Sequence, residues 1–396
     1  MNKSALKSTL MGLMVLSVFQ YVPSFAKQQN PENEIKQNEI NKNDNNMKYR
    51  GVVYDVGLQF SPGPLSVEPF NPELVKYDMK QIAGQLHANS VRIEGEEIPR
   101  LVMAAEAAHE AGLHVLFNPW KMGADANETI AFMTEAAKEA EKLKSKGVDL
   151  IFVEGCEYTI FSRGAFPGET FNERVMFMIE NGVAPGHGTE KTEEFKQANV
   201  KLNEILAEIC KGVRANFTGK VTYSSGTWEE VNWDLFDIVG IDYYRRGETA
   251  EEYVQGLEKY KIGKPLLVME LGSCAYEGAG EKGDGGFAVL QGSNPDGTGI
   301  YMDNKVPVRD EKEQADYIET QINILNGTGI DGAYIYVFAF PIMPYSGPGN
   351  RDFDMTTFSL VKSFPKDDPR SQKIPTWEKK EAFDRLGEVY GKLKGN

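Results

Sequence analysis

The sequence predicts an α/β fold, a single (β/α)8 or TIM barrel, and three observations carry that prediction. From Tyr49 onward, short runs rich in Val, Ile and Tyr alternate with longer segments of helical period, the order of a parallel sheet made of βα units. Eight such runs can be counted. No Gly-rich phosphate fingerprint follows the first of them, which favours a closed barrel over an open dinucleotide-binding sheet.

In chain order the runs are RGVVYDVG, NSVRIEG, LHVLFNPW, LIFVEGCE, KVTYSSG, IVGIDYY, PLLVMELG and AYIYVFAFP. The segment between the third and fourth, ETIAFMTEAAKEAEKLKSKG, shows what lies between strands. Ile130, Met133 and Ala137 fall on one face with acids and lysines opposite, and Gly147 ends the segment, as in an outer helix. The closing stretch TWEKKEAFDRLGEVYGKL supplies the last helix.

Ahead of the barrel the chain has a different character. Lys3 and Lys7 precede the apolar run MGLMVLSVF, which closes on Ser24-Phe25-Ala26, so residues 1–26 are expected to be a cleaved signal peptide. That run is shorter than the roughly 20 residues a membrane span needs. Residues 27–47 contain almost nothing to bury and are expected to form a disordered polar linker. Residues 48–396 then form one barrel domain with insertions. The expected location is secreted or periplasmic, without membrane insertion.

Composition narrows the partners. The formal net charge is −15, which argues against nucleic acid and anionic membrane surfaces. Three cysteines, Cys156, Cys210 and Cys274, exclude complete internal pairing, and Cys210 lies in a helical run as a small hydrophobe. His87, His109, His114 and His187 show no metal-ligand spacing with one another or with a cysteine, so no metal and no cofactor is expected.

The connections are unequal. Long stretches follow the fourth run (Tyr158 to about Thr189), the seventh (Gly272 to about Asp310) and the eighth (SGPGNRDFDMTTFSL). All three lie after strands and before helices, at the barrel end where active sites of this fold are built. The fourth and seventh runs end in Glu157 and Glu270. Hydrolysis of a glycosidic bond with retention needs two carboxyl groups about 5 Å apart, one protonated to assist the leaving group and one ionised to attack the sugar. Arg92, at the end of the second run, can hold a neighbouring carboxylate ionised.

The arrangement resembles the large clan of barrel glycosidases that place the acid/base after strand four and the nucleophile after strand seven. That resemblance implies Glu157 as acid/base and Glu270 as nucleophile. It matches Arg92 to an arginine at the end of strand two, Tyr243 or Tyr244 to an aromatic after strand six, and Phe338 or Phe340 to an aromatic on strand eight. The clan usually places Asn just before the acid/base, where it binds a sugar hydroxyl; Cys156 stands there. The stretch GCEYTIFSRG, with the following PGETFNERV, also resembles a set of barrel proteins called abortive infection proteins.

Sugars pack on flat aromatic faces while a few polar groups fix their orientation. Trp120, Tyr158, Trp228, Tyr243, Tyr244 and Tyr276 follow strands at the loop-bearing end and are expected to bind a carbohydrate substrate, with Asn118 and Asp242 in supporting roles. The expected activity is a retaining glycoside hydrolase. A carbohydrate-binding barrel without turnover, and a barrel lyase or isomerase using one Glu as base, stand beside it as alternatives.

Overall fold

The computed structural model describes residues 47–60, 62–183 and 191–394. The signal peptide and nearly all of the polar linker expected from the sequence lie outside these residues. Eight parallel strands close into a barrel: β1 Tyr49–Asp55, β2 Ser90–Gly95, β3 His114–Pro119, β4 Leu150–Cys156, β5 Val221–Gly226, β6 Val239–Asp242, β7 Leu266–Leu271 and β8 Gly332–Ile335. Each strand pairs with its sequence neighbours, and β8 closes on β1 from Tyr49 opposite Gly332 to Val52 opposite Ile335. The eight runs of the sequence are these eight strands.

Strand periodicity sorts the side chains into two layers. Val53, Leu116, Ile151, Val153, Leu267, Met269 and Tyr334 fill the barrel interior. Val52, Val91, Val115, Phe152, Val221, Val239 and Val268 point outward, into the main core beneath the helices. The helix Ala126–Ser145 starts from a capping box at Asp125 and Glu128 and buries Met133, Ala136, Ala137, Ala140 and Leu143. Other long helices, Glu193–Arg214, Glu311–Asn326 and Glu381–Lys394, cover the barrel in the same way. One connection departs from the alternation. Between β5 and β6 the described chain has only a 3-10 turn, Trp233–Leu235, because so short a segment leaves no length for a helix and its return. Among the described residues no helix is long and apolar enough to cross a membrane.

At β4 and β7 the pairing register slips near the loop-bearing end. On β4 the slip lies between Val153 and Cys156, with Gly155 at φ +88°; on β7 it falls beside Glu270, where Ile241 and Asp242 of β6 pair with Val268 and Glu270. A slip of this kind re-aims the side chains beyond it. Met269 faces the interior, so strict alternation would turn Glu270 outward; the slip brings it to the barrel mouth. The same irregularity turns Cys156 inward and leaves Glu154 buried on β4.

The long connections are not featureless. After β4 come short helices Tyr158–Phe161 and Phe171–Met178; after β7 a two-stranded hairpin, Leu290–Ser293 with Gly299–Tyr301; after β8 a second hairpin, Val361–Ser363 with Trp377–Lys379. A buried ion network ties the last two connections together. Asp354 meets Lys380 at 2.8 Å and Arg309 at 3.0 Å, and Arg309 also meets Asp352 at 2.9 Å.

Candidate active site

Arg92 organises the barrel mouth. Its side chain is completely buried at the top of the apolar interior. Nε donates to Asn118 Oδ1 at 2.7 Å, and Nη1 donates to the Met269 carbonyl at 3.1 Å and to Glu270 Oε1 at 2.8 Å. Nη2 lies 3.3 Å from Glu94 Oε2, and Nη1 lies 3.8 Å from Asp242 Oδ1. A single guanidinium thus faces three buried acids from β2, β6 and β7.

Glu270 is held from both sides. Its second oxygen, Oε2, accepts from the Tyr244 hydroxyl at 2.9 Å. Donors on both oxygens, one of them cationic, fix its orientation. Asp242 accepts from the Ser224 hydroxyl at 2.7 Å, and the Cys156 thiol sits 3.4 Å from Asp242 Oδ2 and 3.5 Å from Glu270 Oε1.

Glu157 is placed differently. Its backbone takes the left-handed conformation, φ 42° and ψ 49°, directly before the short helix that its side chain does not cap. It forms none of the ion pairs that hold Glu270, and it keeps part of its surface open. The protein around it raises its pKa well above the ordinary carboxylate value, through burial first and then the negative charges of Asp242 and Glu270. One carboxyl at this mouth is therefore clamped by a cation, and the other is biased toward its protonated form.

Other groups share the mouth. Glu94 is fully buried with no hydrogen-bond partner on either oxygen, and burial pushes its pKa well up against the opposing pull of Arg92. Asp55 at the end of β1 is raised to about 6 by burial. Tyr336, just after β8, feels the charges of Glu94 and Glu270. Its ring stacks edge-on against Phe358, which in turn packs on Tyr244.

The sequence-derived residues divide into two groups. Arg92, Asn118, Asp242, Tyr244 and Glu270 meet through direct contacts, with Glu157 coupled to them through charge. Trp120, Tyr158, Trp228 and Tyr276 are buried under loops. Tyr158 gives its hydroxyl to the Arg163 carbonyl, Trp228 its indole N–H to Thr159, and Tyr276 its hydroxyl to the Gly286 carbonyl. Trp120 packs beside Cys156 and Leu58 with its indole N–H unpartnered. Tyr243 donates to the Tyr253 carbonyl, and it joins Tyr244, Thr227, Arg246 and Lys259 around a cavity of about 250 Å³. A larger space of about 470 Å³ lies on the β4 connection, around Asn172 and Phe177.

Reading the sequence missed Glu94 and Tyr336 as parts of the mouth. Glu94 follows Arg92 at the two-residue strand period, which places both on the inner face; that signal was available. For the aromatic after β8, Phe338 and Phe340 were the sequence-based choices. Phe338 instead packs outward against Tyr54 and Trp377, and Phe340 against Phe60; Tyr336 faces the acids. Among the described residues Cys156, Cys210 and Cys274 are all buried free thiols.

No family model matches the chain, and no curated protein matches it. Solved structures do. Two of a GH113 beta-1,4-mannanase, one of them a complex, superpose with a TM-score of 0.50 at 14% and 13% identity, covering 87% of this chain and 99% of theirs. Likeness at this identity defines the class of architecture: the chain is a TIM barrel of the kind those hydrolases share.

Proposed function

We propose that this protein is a retaining glycoside hydrolase in which Glu270 is the nucleophile and Glu157 the acid/base. The observation that carries the reading is the contrast between the two carboxyls: Glu270 gripped by Arg92 and Tyr244, Glu157 outside that grip with its pKa raised. A carboxyl whose pKa is raised suits the acid, and one held in place by donors on both oxygens suits the nucleophile.

In the first step Glu157 gives its proton to the departing oxygen while Glu270 bonds to the anomeric carbon. Arg92 and Tyr244 keep the attacking oxygens oriented until charge passes to the sugar. Glu157, now ionised, then takes a proton from water, which displaces Glu270 and restores the starting configuration. The two solved barrels superposed above are mannanases by name, which supports a carbohydrate substrate. The basic, apolar leader with its small-residue cleavage site supports export.

Cys156, standing where the resembling clan has an amide for a sugar hydroxyl, favours a second reading as a carbohydrate-binding barrel without turnover. One experiment separates the two. The mature protein is incubated with a panel of activated aryl glycosides, and the anomer first released is read by proton NMR. Release of the retained anomer supports the hydrolase; glycan binding without release from aryl or natural glycosides supports the binding barrel.

A further inference from the structure

We propose that Cys156, Asp242 and Glu270 form a binding site for a thiophilic divalent cation of the zinc type. Their ligand atoms come from three different strands and all lie within 4.8 Å of one another, buried at the mouth. A thiol has one proton and can donate one hydrogen bond, yet the Cys156 sulfur lies 3.4 Å from an Asp242 oxygen and 3.5 Å from a Glu270 oxygen. Tetrahedral zinc with bonds of about 2.3 Å to sulfur and about 2.0 Å to oxygen separates the two ligand atoms by about 3.5 Å. Both sulfur-to-oxygen spacings already match the edge of that tetrahedron, and the third, oxygen to oxygen, closes from at most 4.8 Å as the ion draws the two carboxylates together.

Charge points the same way. A thiolate and two carboxylates carry three negative charges, and Arg92 supplies one positive; a divalent ion brings the buried group to neutrality. Arg92 opposes the ion at Glu270 Oε1, but its bonds to Asn118 and the Met269 carbonyl hold it in place. The sulfur–metal bond forms as the thiol proton leaves to solvent. Glu270 is the least buried of the three, which leaves the fourth position facing the mouth for water.

A filled site occupies the proposed nucleophile, so the ion inhibits; that consequence rests on the proposed hydrolase, whereas the binding does not. The test titrates the mature protein with Co²⁺ and follows the near-ultraviolet sulfur-to-cobalt absorption, with Zn²⁺ as competitor. One equivalent of Co²⁺ is expected to develop the band and Zn²⁺ to abolish it. Cys156→Ala removes the band, while Cys210→Ala and Cys274→Ala keep it. Asp242→Asn, checked for folding by circular dichroism, weakens binding by at least about tenfold, since even outer partners of a metal ligand are worth about 10–100-fold. Absence of the band in the wild type, or its survival in Cys156→Ala, overturns the site. The readout needs no turnover, so an inactive protein that binds Co²⁺ defeats the hydrolase and keeps the site, and an active one that does not bind defeats only the site.

Discussion

Replacing Arg92 by Met removes the one cation from a buried group of acids while keeping an unbranched apolar stem. The lost contacts are three ion pairs, 2.8 Å to Glu270, 3.3 Å to Glu94 and 3.8 Å to Asp242, and hydrogen bonds to Asn118 and the Met269 carbonyl. Breaking a buried pair by removing one partner costs about 3–5 kcal/mol, because the remaining charge is left uncompensated. The acids escape part of that cost by taking up protons, which gives the effect a pH signature. Arg92 lowers the pKa values of Glu94 and Asp242 against burial, so its loss raises them further above their ordinary 4.5 and 3.8. Groups with raised folded values stabilise fully below the unfolded pKa and lose that contribution as pH rises through the folded one. The deficit of Arg92→Met is therefore smallest near pH 4–5 and grows toward neutrality. Urea denaturation midpoints of wild type and variant at about pH 4.5 and pH 7.5 measure it. A loss below about 1 kcal/mol at neutral pH, or one equal at both pH values, refutes the picture of a guanidinium neutralising buried acids.

Three other perturbations follow from the same geometry. Tyr244→Phe deletes a hydrogen bond to a charged oxygen worth about 1.5–3 kcal/mol and is expected to lower kcat/KM by roughly 10- to 100-fold on aryl glycosides, with a fall in the denaturation midpoint equivalent to no more than that energy. Because burial and neighbouring acids raise the Glu157 carboxyl, activity falls on the alkaline side as that proton is lost; Glu157→Gln, assayed on a substrate whose leaving group needs no proton, loses this limb in a pH–rate profile. Asp354→Asn strands the fully buried Lys380 and weakens the hold on Arg309, so the midpoint of denaturation drops by the equivalent of about 3–5 kcal/mol, read by urea titration.

The barrel was legible because strands and helices have different hydrophobic periods, and the chain repeats the change eight times. Strand ends were legible for the same reason: a charged residue after an apolar run marks the mouth, which brought out Arg92, Glu157 and Glu270. What the sequence concealed is which way a residue points once the register slips. Strict alternation turns Glu270 away from the interior, and the irregular pairing of β7 with both β6 and β8 brings it in. The meeting of Cys156 with Asp242 joins β4 to β6, residues 86 positions apart, and no spacing signals it. Aromatics were the least readable. Tyr158, Trp228 and Tyr276 stand after strands as sugar-stacking residues do, but their polar atoms bond loop backbone and neighbours, as residues packing down a long connection also do. Nothing in a residue's type or position separates those two uses.

The most direct measurement compares aryl glycoside cleavage by the wild type with that by Glu157→Gln and Glu270→Gln. One glycoside of the panel is expected to be turned over, Glu270→Gln to abolish its cleavage, and Glu157→Gln to retain activity only as the leaving group improves. Cleavage that survives Glu270→Gln, or that is indifferent to Glu157→Gln whatever the leaving group, contradicts the two-carboxylate mechanism.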